Sequence, residues 1–109
     1  MPKVLNIRTI GRQAALAMMA NGEAVYIGRA TRGRWPQSKW RNWFVSPRDG
    51  SRDDVVARHR AWIVQQPELM AALPELRGKD LLCWCAPEHC HGDVLLRLAN
   101  PQADAGGVG

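Results

Sequence analysis

Apolar positions along the chain switch between a two-residue and a helical period, and the switches mark its elements. Lys3 to Arg8 sets Val4, Leu5 and Ile7 among polar neighbours and predicts a first strand entering the core. Gly11 to Ala20 reads as a short helix closed by Asn21-Gly22. Ala24 to Arg29 is β-branched and aromatic, bounded by glycine, and predicts a second strand. Residues 30 to 50 hold no sustained period and contain Gly33, Pro36, Pro47 and Gly50, which predicts a long loop of the kind that usually carries function.

Ser51 is a fitting N-cap for a helix running to about Gln66, because Asp53 and Asp54 complement the positive helix end and Pro67 stops it. Val55, Val56, Trp62 and Ile63 form its apolar face, with His59 in the middle of that stripe. A helical turn over Glu68 to Leu73 precedes the apolar run Leu81 to Cys85, which reads as a buried strand ended by Ala86-Pro87. Cys90 to Ala99 predicts a final helix presenting Val94, Leu95 and Leu98 on one face. The order strand, helix, strand, loop, helix, strand, helix predicts a small single-domain layered α/β fold, with a short, mostly parallel sheet flanked by helices. Residues 1–100 are expected to form the domain and 101–109 a flexible tail.

At 109 residues, with 46% hydrophobic and 23% charged positions, one ordinary core is affordable without staples, so collagen-like, coiled-coil and wholly disordered classes are excluded. No apolar run approaches the ~18 residues of a membrane span, and Ala14 to Ala20 is a short, weak match to a secretory core. No membrane partner is expected. The net charge of +5 is concentrated: nine Lys and Arg lie between Arg29 and Arg60 against Asp49, Asp53 and Asp54. Such a segment attracts polyanions or phosphorylated ligands, or it is a solvated loop. Trp35, Trp40 and Trp43 interleave with Arg34, Lys39 and Arg41, a pattern that suits base stacking beside phosphate contacts or simply anchors the loop to the core.

All three cysteines fall between Cys83 and Cys90, with no distant thiol to staple, which predicts a reducing, cytoplasmic setting. On a strand Cys83 and Cys85 share a face, while His91 shares a helix stripe with Val94, Leu95 and Leu98 and points inward near Cys85. The motif therefore places a strand end, a tight loop and a helix start together, where open α/β sheets bind ligands and free helix amides favour an anion. Three chemistries compete. Cys83, Cys85, Cys90 and His91 are a complete ligand set for zinc or iron, but one and no intervening residues fall short of the two to four typical of structural zinc, so no stoichiometric metal is expected. A phosphatase-like loop from Cys90 to Arg97 has six intervening residues where five are needed. A Cys90/His91 pair at a helix N-terminus could act as nucleophile or acid/base. Against all three stands the plain alternative of small core thiols with a hydrogen-bonded histidine.

Tyr26-Ile27-Gly28-Arg29, Ser38-Lys39-Trp40-Arg41-Asn42, Ser51-Arg52, and above all Glu75 to Pro87 with Cys90-His91-Gly92-Asp93-Val94-Leu95-Leu96 resemble the bacterial and phage family known as domain of unknown function 4326. The resemblance covers about residues 3 to 100. It departs after the Lys-Trp pair, where Arg41-Asn42-Trp43-Phe44 replaces glycine, asparagine, proline and phenylalanine. The cysteine arrangement is also similar to an uncharacterised α/β family ending in Cys-His-Arg, which implies a shared strand-loop-helix site. Neither resemblance supplies a reaction.

The residues point to a nucleotide or nucleic-acid-derived phosphorylated ligand, bound between the basic loop and the Cys85 to Gly92 turn. Its expected contacts are Arg29, Arg34, Lys39, Trp40, Asn42, His59, Cys85, Gly92 and Asp93, with Cys90 and His91 as the catalytic pair if the protein is an enzyme. The alternative is a non-catalytic module that presents the Arg/Trp loop to nucleic acid or a host protein, with a structural zinc as an option.

Overall fold

The computed structural model describes residues 2–31 and 35–101; Arg34 and most of the expected tail lie outside the described residues. Three strands form the sheet: β1 (Val4–Asn6), β2 (Ala24–Tyr26) and β3 (Asp80–Cys83). All pairings are parallel, in the order β1-β3-β2. Leu81 stands opposite Val4 on one side and Val25 on the other, and Leu82 opposite Leu5 and Tyr26. The last strand in sequence is therefore the central one, and Leu81, Leu82 and Cys83 are all buried. Central strands of parallel sheets are covered on both faces, which explains why this stretch reads as a continuous apolar run and not as an alternation.

The pleat sorts the core into two layers. Val4, Val25, Leu81 and Cys83 meet Ile63, Leu76 and Leu95, supplied by α3 (Arg52–Ile63), a 3₁₀ turn (Leu73–Leu76) and α5 (His91–Ala99). Leu5, Tyr26 and Leu82 meet Ile7, Ala15 and Met18 from α1 (Ile7–Ile10) and α2 (Arg12–Ala20). The remaining helix, α4 (Pro67–Ala72), starts on proline, whose missing N–H costs nothing at a first helical position. The fold is thus the α/β layer structure that the sequence predicts.

All three strands end earlier than the pattern predicts, β2 at Tyr26 and not Arg29. The first strand stops at Asn6, not Arg8, because the Asn6 side chain accepts the Arg8 N–H and starts α1 at Ile7. The expected strand over Leu81–Cys85 ends at Cys83; the chain bends at Trp84 and Cys85. Asn6 also holds that bend, donating through Nδ2 to the carbonyls of Trp84 (3.2 Å) and Ala86 (2.8 Å). The other helix starts follow their sequence signals. Ser51 and Asp54 close a capping box on α3, and Cys90 and Asp93 close one on α5.

Gly92 shows how tightly α5 is seated. A Cβ built there would lie 2.9 and 3.0 Å from the methyls of Val4 and 3.1 Å from Ile27 Cδ1. The absent side chain serves helix-to-sheet packing. Gly92→Ala is expected to destabilise the fold by about 1–3 kcal/mol through overpacking against a stiff β-branched neighbour. Adding Val4→Ala should recover part of that loss, and denaturant titration of the two single variants and the double variant measures the coupling.

Candidate functional site

The carboxyl ends of β2 and β3 open onto a cavity of about 270 Å³. Gly28, Arg29 and Thr31 come from the segment after β2, Asn42 and Phe44 from the long loop, and Arg52, Val55 and Val56 from α3. Cys83, Trp84, Cys85, His89, Cys90 and His91 complete it from the β3–α5 connection. Gly28 is required here by a close approach, since a Cβ would fall 2.6 Å from the Tyr26 hydroxyl. That hydroxyl donates to the Arg29 carbonyl and accepts from Trp84 Nε1 at 2.9 Å, so one oxygen links the exits of both strands.

The three thiols converge at the floor. Cys83 Sγ lies 3.8 Å from Cys85 Sγ and 4.0 Å from Cys90 Sγ, and all three sulfurs lie within 4.8 Å of one another. Cys83 and Cys90 are buried and Cys85 is half-buried. The bend after Cys83 makes this convergence, because two cysteines on a regular strand point the same way but stand further apart. Hydrogen bonds from Cys85 and then Cys90 lower the Cys83 pKa, while the hydrogen bond to Cys83 raises the pKa of Cys85 and of Cys90, with burial raising both further. Three such sulfurs can hold a metal ion. His91 is not among them, which corrects the four-ligand set Cys83, Cys85, Cys90 and His91.

His91 Nε2 lies 2.8 Å from the Ile27 carbonyl. A carbonyl only accepts, so Nε2 carries the proton and Nδ1 keeps its lone pair in the neutral ring. Burial lowers the His91 pKa, opposed by the Ile27 carbonyl. Behind it, with ring centroids 5.1 Å apart, sits His59, 0% exposed and without a hydrogen bond at either ring nitrogen among the described residues. Burial, and then the His91 ring, push its pKa down to about 4; the Trp40 backbone opposes weakly and lies outside hydrogen-bonding geometry.

The structure brings Arg29, Asn42, Cys85, Cys90 and His91 to one cavity, but several expected contacts lie elsewhere. Arg29 Nε and Nη2 donate to the Asn42 carbonyl at 3.1 and 2.8 Å, and Nη2 reaches the Phe44 carbonyl at 3.0 Å, so much of the guanidinium fastens the loop. Asn42 donates through Nδ2 to the Val55 carbonyl and accepts the Phe44 N–H, fixing the same wall. Trp40 is 2% exposed and belongs to the core, and Lys39 pairs with Glu75, so neither lines the cavity. His59 stands behind the lining, and Gly92 is packed against β1. Asp93 Oδ2 accepts the Cys90 N–H and faces His89 Nδ1 at 3.1 Å, so this carboxylate already occupies the helix end expected to hold an anion.

Arg52, His89, Phe44 and Trp84 line the cavity without having been singled out. The Ser51 cap carried the signal for Arg52, since it sets that residue at the first helical position. Arg52 Nη2 pairs with Glu88 Oε2 at 2.9 Å, an exposed ion pair that a stronger anion would displace at little cost.

Acid should weaken the fold through the histidine pair. Both imidazoles bind protons less readily folded than unfolded, so the unfolded state takes up more protons as pH falls below its ordinary value near 6.5. Stability is then whole above about pH 6.5 and is lost toward pH 4, with His59 contributing about 3 kcal/mol from its displacement to about 4. Urea titrations between pH 7 and 4.5 should show the loss, and His59→Leu should reduce it. Asp49 and Asp54, held below the usual carboxylate range by their hydrogen bonds to Arg48 and Ser51, act only at lower pH.

A relative from Acanthamoeba polyphaga mimivirus, named "Uncharacterized protein R718", is 38% identical over 85 residues. The match covers 68% of this chain and 65% of the relative, so the chain spans a little under two thirds of that relative's length. No solved structure matches, and no helix among the described residues is long and apolar enough to cross a membrane. The family model described as "Domain of unknown function (DUF4326)" matches residues 10–101, a span that contains β2, β3 and every residue lining the cavity, and the chain belongs to that family.

Proposed function

We propose that the protein binds a phosphorylated ligand of the nucleotide class in the cavity at the carboxyl ends of β2 and β3. The observation that carries this reading is the lining itself. The Arg52 guanidinium, engaged in an exposed ion pair with Glu88, shares the lining with Phe44 and Trp84 in a space sized for one nucleoside-scale group. Arg29 adds positive charge from the fixed wall, and open parallel sheets favour this edge for ligands. His91 Nδ1, with its lone pair set by the Ile27 contact, is the group best placed to accept a proton from whatever is bound.

A second reading is favoured by a different surface. Trp43 is 52% exposed, the Arg41 guanidinium lies 3.6 Å from its ring centroid, and Trp62 stands edge-on at 6.3 Å. An exposed ring stacked on a guanidinium is the combination used for sequence-tolerant single-stranded nucleic acid. In that reading the chain is an interaction module and the cavity is secondary.

Calorimetric titration with nucleosides and their mono-, di- and triphosphates separates the two. Under the cavity reading phosphorylated nucleosides bind and unphosphorylated ones do not, and Arg52→Ala weakens binding about tenfold or more with the melting temperature nearly unchanged. Equal binding of both sets, or an Arg52→Ala variant with unaltered affinity, overturns it. The module reading instead expects oligonucleotide binding that falls steeply with salt and is lost in Trp43→Ala.

A further inference from the structure

The geometry points to a single-ion metal site at Cys83, Cys85 and Cys90, in which three thiolates hold a zinc-type ion and the fourth coordination position opens into the cavity. The inference does not depend on the ligand reading above. It starts from a distance. Zinc–thiolate bonds of about 2.3 Å at tetrahedral angles place the sulfurs of one ion about 3.8 Å apart. The observed separations of 3.8 and 4.0 Å fit two edges of such a tetrahedron, and the third pair lies inside 4.8 Å. An iron–sulfur cluster gives most of its thiolates separate irons, which sets them further apart than this.

The donor set narrows the ion. Thiolates select soft or borderline metals over magnesium or calcium, and three of them give a zinc ion a net charge of about −1. Arg52 and Arg29 in the cavity wall balance that charge without competing as ligands. The surroundings also resemble an outer shell, for the Asp93 amide turns back to Cys90 while the Asp93 carboxylate accepts the Cys90 N–H.

The fourth position carries the consequence for function. His91 lies outside the sulfur cluster with Nε2 engaged by Ile27, while all three cysteines border the cavity. A closed structural site would bury four protein ligands; three with an open side is the pattern of sites that bind water or substrate, and three-cysteine zinc with an activated water is established chemistry. Spacing rules for zinc weigh against these cysteines because they describe ligands on hairpins and knuckles, whereas here a strand end bends so that residues two apart converge.

The test is cobalt(II) titration of the full chain, purified reduced and without a histidine tag. Expected are saturation at one equivalent, a near-ultraviolet thiolate-to-cobalt charge-transfer band, and intense visible bands of tetrahedral cobalt. Cys85→Ser, isosteric at a half-buried position, should lose the charge-transfer band or weaken binding. His89→Ala, at an exposed position, should retain it, and added azide should shift the visible bands by entering the open position. Absence of a charge-transfer band in the wild type overturns the site, as does unchanged binding in Cys85→Ser. Loss of the metal in His89→Ala, or visible bands indifferent to azide, overturns the open fourth position.

Discussion

Strand β3 holds the sheet together, and the rest of the molecule depends on its central place. Neither β1 nor β2 touches the other; each is a strand only because β3 lies between them and supplies hydrogen bonds on both edges. Burial on both faces then demands an apolar stretch, which Leu81 and Leu82 provide. The constraint reaches past the sheet. Where the central strand ends, the chain emerges in the middle of the carboxyl edge, flanked by the exits of two parallel neighbours, so that Cys83 and Cys85 are delivered to the one place where loops from both sides can surround them.

The same position explains why the walls of the cavity differ in stiffness. The Arg29 and Asn42 side is fastened by five hydrogen bonds that run from the end of β2 through the long loop to α3. Elsewhere on the rim, Arg52 pairs with Glu88 across solvent and His89 stands beside Asp93, contacts that cost little to rearrange.

The architecture was legible because its determinants are local. Ser51 before Asp53 and Asp54, the apolar run from Leu81, and the helical stripe of Val94, Leu95 and Leu98 each specify an element without reference to distant residues. Their order gives the layer class. The site was legible in outline for the same reason, since a strand, a turn and a helix in succession must bring Cys83, Cys85, Cys90 and His91 near one another. What sequence could not supply were partners far along the chain. Arg29 reads as a phosphate fork until the carbonyls of Asn42 and Phe44 are found beneath it, and Gly92 reads as ligand space until Val4 and Ile27 are found against it. Trp40 and Trp43, three residues apart in one loop, look equivalent in a basic aromatic pattern and end as a core residue and a surface ring. How closely the thiols pack, 3.8 and 4.0 Å between sulfurs, was hidden because the strand pattern continues through Cys85 while the backbone does not.

The Tyr26 hydroxyl gives the site a mechanical property. It bridges the Arg29 carbonyl and the Trp84 indole, so the segment leaving β2 and the segment leaving β3 are connected through one oxygen atom. Asn6 grips the same β3 exit from the other side, at the Trp84 and Ala86 carbonyls. A displacement of the thiol turn is therefore passed by a short chain of hydrogen bonds to the backbone of the basic wall. The floor and the rigid side of the cavity are thereby braced against each other through a phenol buried beneath them.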